Sequence, residues 1–243
     1  MPNATHASTS RVEPARLEVE WCGRVPYARA LELQDAAREA RTRGEAGDRL
    51  LLLEHPPVVT LGRGSHAEHL LLDDSEAYAA RGIEVFEAAR GGDVTYHAPG
   101  QLVGYLVVDL DARGERDLHL HLRRIEGALM TALDRFGVKS KRVPGRSGVF
   151  VDTGDVAGGR DRKLASIGVG VKRWVTWHGF ALNVTTDLEG FDVIVPCGLG
   201  DVEMTSVARE TGRPALGLDA QVRSAVAEAF VDGFGAAPSE PAG

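Results

Sequence analysis

Residues 90 to 110 read Arg90-Gly-Gly-Asp-Val-Thr-Tyr-His-Ala-Pro-Gly-Gln-Leu-Val-Gly-Tyr-Leu-Val-Val-Asp-Leu110. Two runs rich in β-branched and aromatic residues, Val94 to His97 and Leu102 to Leu110, flank the turn Ala98-Pro-Gly100, which predicts strand, corner, strand. Working outward, Ile83 to Phe86, Val58 to Leu61, Leu50 to Glu54 and Leu17 to Trp21 fit further strands, with His55-Pro-Pro57 separating two of them. Downstream, Gly148 to Asp152, Lys163 to Val171 and Val175 to Val184 do the same. Helices are expected on either side of this β-rich centre. One opens at Pro26 and runs to about Arg43, closed by Gly44; a short one covers Ser75 to Arg81. A third follows an Asp117 N-cap to Phe136, with Leu118, Leu122, Ile125, Leu129 and Leu133 on one face. Two more cover Ser206 to Glu210 and Asp219 to Phe230. The fold class is α/β (α+β), a mixed sheet flanked by helices, with no internal repeat.

The 243 residues suit one domain, read over 16–234, with small polar stretches at 1–15 and 235–243 expected to be disordered tails. A net charge of −7 argues against nucleic-acid binding. No apolar run is long enough to span a bilayer, so no membrane is expected, and the first fifteen residues lack the apolar core of a secretory signal. Two cysteines, Cys22 and Cys197, make no disulfide framework and suit a reducing, cytoplasmic setting.

Cys197 stands in Val195-Pro-Cys-Gly-Leu199, a turn context that exposes a thiol. Most lone cysteines are small buried hydrophobes, so it becomes a candidate nucleophile only beside its neighbours. Alternation along Lys163-Leu-Ala-Ser-Ile-Gly168 puts Lys163 on a face with Ala165, Ile167 and Val169, and so at risk of burial; the alternative is a strand-end lysine reaching water. Gly91 and Gly92 permit close backbone approach, whereas a plain hairpin corner would also explain them. His97 by itself reads as a hydrogen-bonded structural histidine. His178, next to Gly179, is otherwise a strand histidine. His119 and His121 point to different faces of their helix, and His66 with His69 lacks an obvious carboxylate, so no metal site is expected. No P-loop is present. Basic residues concentrate at Lys139, Lys141, Arg142 and Arg146, and again at Arg160, Arg162, Lys172 and Arg173.

Taken together, Arg90-Gly-Gly-x-x-Thr-Tyr-His97 with Pro99-Gly-Gln101, Lys163-x-Ala-Ser-Ile-Gly168, His178-Gly-x-Ala-Leu-Asn183 and Pro196-Cys-Gly198 resemble the octanoyltransferases of lipoate biosynthesis, also called lipoate-protein ligase B. The order agrees from about Leu50 to Glu210. Two departures are Ala98, where the family commonly has glycine, and a longer 153–162 loop.

The resemblance implies a fold similar to biotin- and lipoate-protein ligase catalytic domains, and an acyltransferase needing no cofactor. The octanoyl group would pass from octanoyl-acyl carrier protein to a lysine of lipoyl domains, in 2-oxoacid dehydrogenase E2 subunits and the glycine cleavage H protein. At least one of the two basic clusters is expected to border the acyl site and dock the acidic carrier protein, the alternative being a solvated basic face. Cys197 is implied as the nucleophile and Lys163 as its catalytic partner. Arg90, Gly91, Gly92, Asp93, Val94, Thr95, Tyr96 and His97, then Ser166, Ile167 and Gly168, then Gly179, Phe180 and Ala181, are implied to line the acyl site, with His178 and Asn183 in support. The alternatives are an ATP-dependent lipoate or biotin ligase of the same fold and a non-catalytic acyl-binding module.

Overall fold

The computed structural model describes residues 17–154, 160–195 and 202–235. Cys197, the tail expected at 1–15 and the middle of the 153–162 loop therefore lie outside the described residues, as does all of the tail expected at 235–243 except Gly235.

The run Arg49-Leu-Leu-Leu-Leu-Glu54 forms strand β2 (Arg49–Glu54). Its side chains alternate between two apolar layers. Leu50 and Leu52 pack with helices α3 (Leu118–Asp134) and α5 (Leu218–Gly235), whereas Leu51 and Leu53 pack with α1 (Tyr27–Thr42). A strand covered on both faces needs apolar residues at every position, which is why this one reads as an unbroken run. Each leucine contributes about 1.5–3 kcal/mol of burial.

The large sheet begins with β1 (Glu18–Arg24), which pairs parallel to β2 across the α1 crossover. Next come β6 (Gln101–Val107), β10 (Val175–Asn183), β9 (Asp161–Lys172), β8 (Val149–Val151) and β7 (Ser140–Lys141), all joined antiparallel. Strand β11 (Val202–Met204) runs parallel beside the start of β9. A smaller sheet has the order β4 (Glu84–Glu87), β3 (Val58–Leu61), β5 (Val94–His97). Helix α2 (Ser75–Ala79) adjoins it, and α4 (Val207–Thr211) follows β11.

Several sequence expectations are corrected. The turn Ala98-Pro-Gly100 joins two strands as expected, but β5 belongs to the small sheet and β6 to the large one, so the chain crosses between sheets there. Gly100 has φ +80, and its carbonyl accepts from Val184 N–H at 3.1 Å and Thr185 N–H at 2.9 Å. A Cβ on Gly100 would sit 2.5 Å from Thr185 Oγ1, so glycine is required at this crossing. Ala98 is absent from the positive-φ positions and is buried, so its methyl fits without backbone strain.

Asp117 caps α3 as expected, accepting from Leu120 N–H at 3.0 Å. The helix ends at Asp134, ahead of Gly137 at φ +77. Pro26 stands just before α1 rather than within it, α2 stops at Ala79, and Gly235 closes α5 instead of starting a tail. Strands β7 and β11, and 3₁₀ turns at Ala67–His69 and Leu188–Val193, were not foreseen, because segments of two to six residues carry no readable period. Among the described residues no helix is long and apolar enough to cross a membrane.

Candidate active site

A cavity of about 360 Å³ opens where the two sheets meet. Strand register builds one wall. Ser166, Ile167 and Gly168 on β9 pair with Ala181, Phe180 and Gly179 on β10, so two separated sequence motifs are direct strand partners. The opposite wall is the loop entering β5, which is fastened to β9 by Gly91 N–H donating to Val169 O at 2.9 Å. The cavity touches Arg90, Gly92, Asp93, Val94, Thr95 and His97 from that loop and strand. Tyr96 turns away, packing edge-on against Phe191 at 5.4 Å, and Gly91 is not part of the lining.

Lys163 is 2% exposed and lines the cavity, which rules out the water-reaching alternative. The cause is a bulge. Val149 pairs with Ala165 but Phe150 pairs with Lys163, leaving Leu164 as an extra residue on β9. The bulge resets the side-chain phase, so Lys163 shares the cavity with Ser166 and Gly168, whereas Ala165 and Val169 belong to the apolar core. The simple alternation expected for this strand is thereby corrected. At the same point the β9 neighbour changes from β10 to β11, with Met204 opposite Lys163. Lys163 Nζ stands 5.5 Å from the centroid of the Phe150 ring.

Gly148 makes room for this lysine. Its φ is +126, and an added Cβ would meet Lys163 Cε at 2.7 Å and collide with Ala165 O. Gly148→Ala is therefore expected to displace Lys163 and lower whatever turnover depends on that amine by about tenfold or more. Steady-state rates beside a circular-dichroism spectrum check this; a folded variant with wild-type turnover would contradict it.

The inner part of the site is polar but largely uncharged. His55 and His178 are buried and held down to about 4 and about 3 respectively, chiefly by loss of water. Burial also holds His97 well below the usual histidine range, with His55, Arg90 and His178 adding repulsion. Burial pushes Tyr27 up to about 12 and Tyr105 well above the normal phenol range. Their rings form one cluster: His55 and His97 lie 5.5 Å apart, Tyr27 stacks 6.4 Å from His97, and Tyr105 meets His178 edge-on at 5.6 Å. The cation beside them is Arg90, whose guanidinium donates to the carbonyls of Thr60, Gly91 and Asp93 and to Thr60 Oγ1. Arg90 thus braces the glycine loop from within.

His178 adopts φ +56, an uncommon conformation for a side-chain-bearing residue and one typical of sites held by their surroundings. Its N–H donates to Gln34 Oε1 at 2.7 Å. The close approach permitted by Gly179 is to the Gly104 carbonyl of β6. Asn183 lies outside the lining, in hydrogen-bonded contact with Gln101 and Thr205.

Sequence reasoning missed Tyr27, Gly64, Val103, Tyr105, Gly145 and Ser147 as lining, all of which border the cavity. Tyr105 was hidden inside an apolar segment and Tyr27 at the start of a helix, whereas Arg146 belongs to a basic run of which one member was expected beside the site. That run is divided in the structure: Arg142 pairs with the buried Glu126 at 2.9 Å, whereas Arg146 borders the cavity and pairs with Asp161 at 3.2 Å. His69, for which no carboxylate was evident, pairs with Asp93 at 2.6 Å. The residues flanking the undescribed 196–201 stretch are anchored. Val195 N–H donates to His69 O at 2.9 Å, and Thr205 N–H donates to Lys163 O at 3.0 Å. Among the described residues no group of three or more His, Cys, Asp or Glu is placed to hold a metal ion.

The lipoyl protein ligase A/B catalytic domain family model matches residues 26–231. An octanoyltransferase of Acidobacterium capsulatum is 49% identical over 210 residues, covering 84% of this chain and 84% of that protein. One from Geobacter metallireducens is 48% identical over 209 residues, covering 86% and 89%. The chain belongs to the lipoyl protein ligase A/B catalytic domain family and, within it, to the octanoyltransferases. Among solved structures, a bipartite lipoate protein ligase from Thermoplasma acidophilum superposes with a TM-score of 0.67 at 18% identity, over 91% of this chain and 84% of that one. A lipoate-protein ligase A bound with ATP gives 0.64 at 18% identity, over 91% and 85%. These two likenesses concern the fold.

Proposed function

We propose that the protein moves an octanoyl group from octanoyl-acyl carrier protein to a lysine of lipoyl domains, those of 2-oxoacid dehydrogenase E2 subunits and of the glycine cleavage H protein, through a thioester on Cys197. The observation that carries this reading is Lys163, a lysine buried in the cavity wall and hydrogen-bonded through its carbonyl to the strand that follows the Cys197 segment. Half-identity to octanoyltransferases over most of the chain supports the same reading.

The chemistry proceeds in two exchanges. The Cys197 thiolate attacks the donor carbonyl, the bond to the carrier sulfur breaks, and the Lys163 ammonium gives the departing thiolate its proton, becoming an amine. The acceptor lysine amine then attacks the acyl-cysteine, a proton passes to Lys163, and the Cys197 thiolate is released. Lys163 as an ammonium favours the thiolate in the first exchange; as an amine it takes the proton in the second. A thioester donor is already activated, so ATP has no role. Arg146, at the cavity edge, is the basic side chain placed to meet an acidic donor protein.

Incubating the protein with octanoyl-acyl carrier protein, without ATP, tests this directly. The intact mass should rise by one octanoyl group, mapped to Cys197, and fall back when a lipoyl domain is added. Acylation that needs ATP would indicate ligase chemistry, and an unchanged mass with or without ATP would indicate a non-catalytic module.

A further inference from the structure

A chain of buried amides leads from the cavity to the residue paired with Lys163. Gln101 and Asn183 are each 1% exposed, and Thr205 is fully buried. Asn183 Nδ2 lies 3.0 Å from Thr205 O, Gln101 Nε2 lies 2.9 Å from Asn183 Oδ1 and 3.2 Å from Tyr96 O, and Gln101 Oε1 lies 2.7 Å from His97 Nδ1. The direction of every bond follows from which groups can only accept. A backbone carbonyl has no proton, so Thr205 O requires the Asn183 amide nitrogen, which turns Asn183 Oδ1 toward Gln101. That oxygen and the Tyr96 carbonyl both require the Gln101 amide nitrogen. Reversing the two amides would set oxygen against oxygen at both carbonyls. Gln101 therefore presents its oxygen to His97, and the proton between them belongs to Nδ1. The ring is buried and neutral, so Nε2 carries the lone pair.

We propose that Gln101 and Asn183 are positioning residues for the acyl site, holding His97 as the Nδ1–H tautomer so that Nε2 is a hydrogen-bond acceptor for the amine entering to attack the acyl group. The proposal rests on the octanoyltransferase reading of the cavity. His97 serves here as an acceptor that aims an N–H, with the proton itself going to Lys163. The groups facing His97 support this assignment. Arg90, His55 and His178 all oppose a second proton on the ring, Tyr27 stacks on it, and the Gln101 hydrogen bond alone works the other way.

Two measurements test it. Long-range ¹H–¹⁵N spectra of the wild-type protein at neutral pH should show His97 protonated at Nδ1; protonation at Nε2 would overturn the proposal. In Gln101→Met the two tautomers should mix, and transfer from acyl-Cys197 to a lipoyl-domain lysine should slow about tenfold more than acylation of Cys197 by a small octanoyl thioester. Equal slowing of both exchanges in Gln101→Met, or none in either, would leave the amides a merely structural role. Failure of wild-type Cys197 to accept an octanoyl group would instead defeat the transferase reading, whatever tautomer His97 shows.

Discussion

Cys197→Ser is expected to lower octanoyl transfer by about a thousandfold or more while leaving the fold intact, because the exchange replaces one side-chain atom and removes the nucleophile. A hydroxyl at that place exchanges poorly with a thioester and has no accessible anion at neutral pH. Lys163→Ala should act on the same step in a different way. Its acylation rate should climb with pH toward about 8.5, where an unassisted thiol ionises, instead of levelling off earlier. Lys163→Arg should not restore overall transfer, since a guanidinium cannot take the proton of the second exchange. Single-turnover acylation followed across pH by mass reads the first effect, and transfer from acyl-Cys197 to a lipoyl domain reads the second. An octanoyl adduct on Cys22, or an unaltered pH profile in Lys163→Ala, would remove these residues from the mechanism.

The protein is also expected to lose stability steeply on mild acidification. His55 and His121 are held down to about 4 and His178 to about 3, whereas in the unfolded chain each returns to about 6.5. Between those values the unfolded state binds more protons than the folded one, so stability is fully present above about pH 6.5 and falls as pH drops toward 4. Each such group contributes a slope of about 1.4 kcal/mol per pH unit, and His97, also held well below the usual range, adds a fourth, so together they approach about 5–6 kcal/mol per unit. Domains of this kind have about 5–15 kcal/mol in total, which places acid unfolding about one to three units below the pKa of a free histidine. Urea titrations at successive pH values measure the slope. His121 offers a control away from the cavity: its Nε2 is buried without a partner among the described residues, and its ring meets Phe234 edge-on at 5.8 Å. His121→Leu should flatten the profile by about a quarter. A profile level between pH 6.5 and 4.5 would refute the account.

Much of this architecture was legible because the physical signal was local. The four leucines of β2 announced a strand, and the Asp117 cap with its leucine face announced α3. Membership of a particular sheet was not legible, since β2 and β3 look alike in composition yet belong to different sheets. At the site, the resemblance brought together residues such as Ser166 and Ala181, and strand register explains why they share one wall. It also included Tyr96, which periodicity within Val94–His97 would have turned away from Thr95 and His97. Tyr27 and Tyr105 were invisible because each sits in an element whose other residues explain it, and His55 because it reads as part of the His55-Pro-Pro57 break between two strands. The bulge at Leu164 leaves no mark in composition, so the strand seemed to alternate simply.

That extra residue makes chain length itself a determinant in one short interval. An insertion between Thr153 and Arg160 falls between strands, and the register on either side can absorb it. A deletion at Leu164 changes no charged or polar group and leaves the lysine two positions from Ser166, still on the cavity face by plain alternation, but it removes the irregularity at which β9 exchanges β10 for β11 as its neighbour. Length in that interval therefore sets where the strand changes partners rather than which way the amine points.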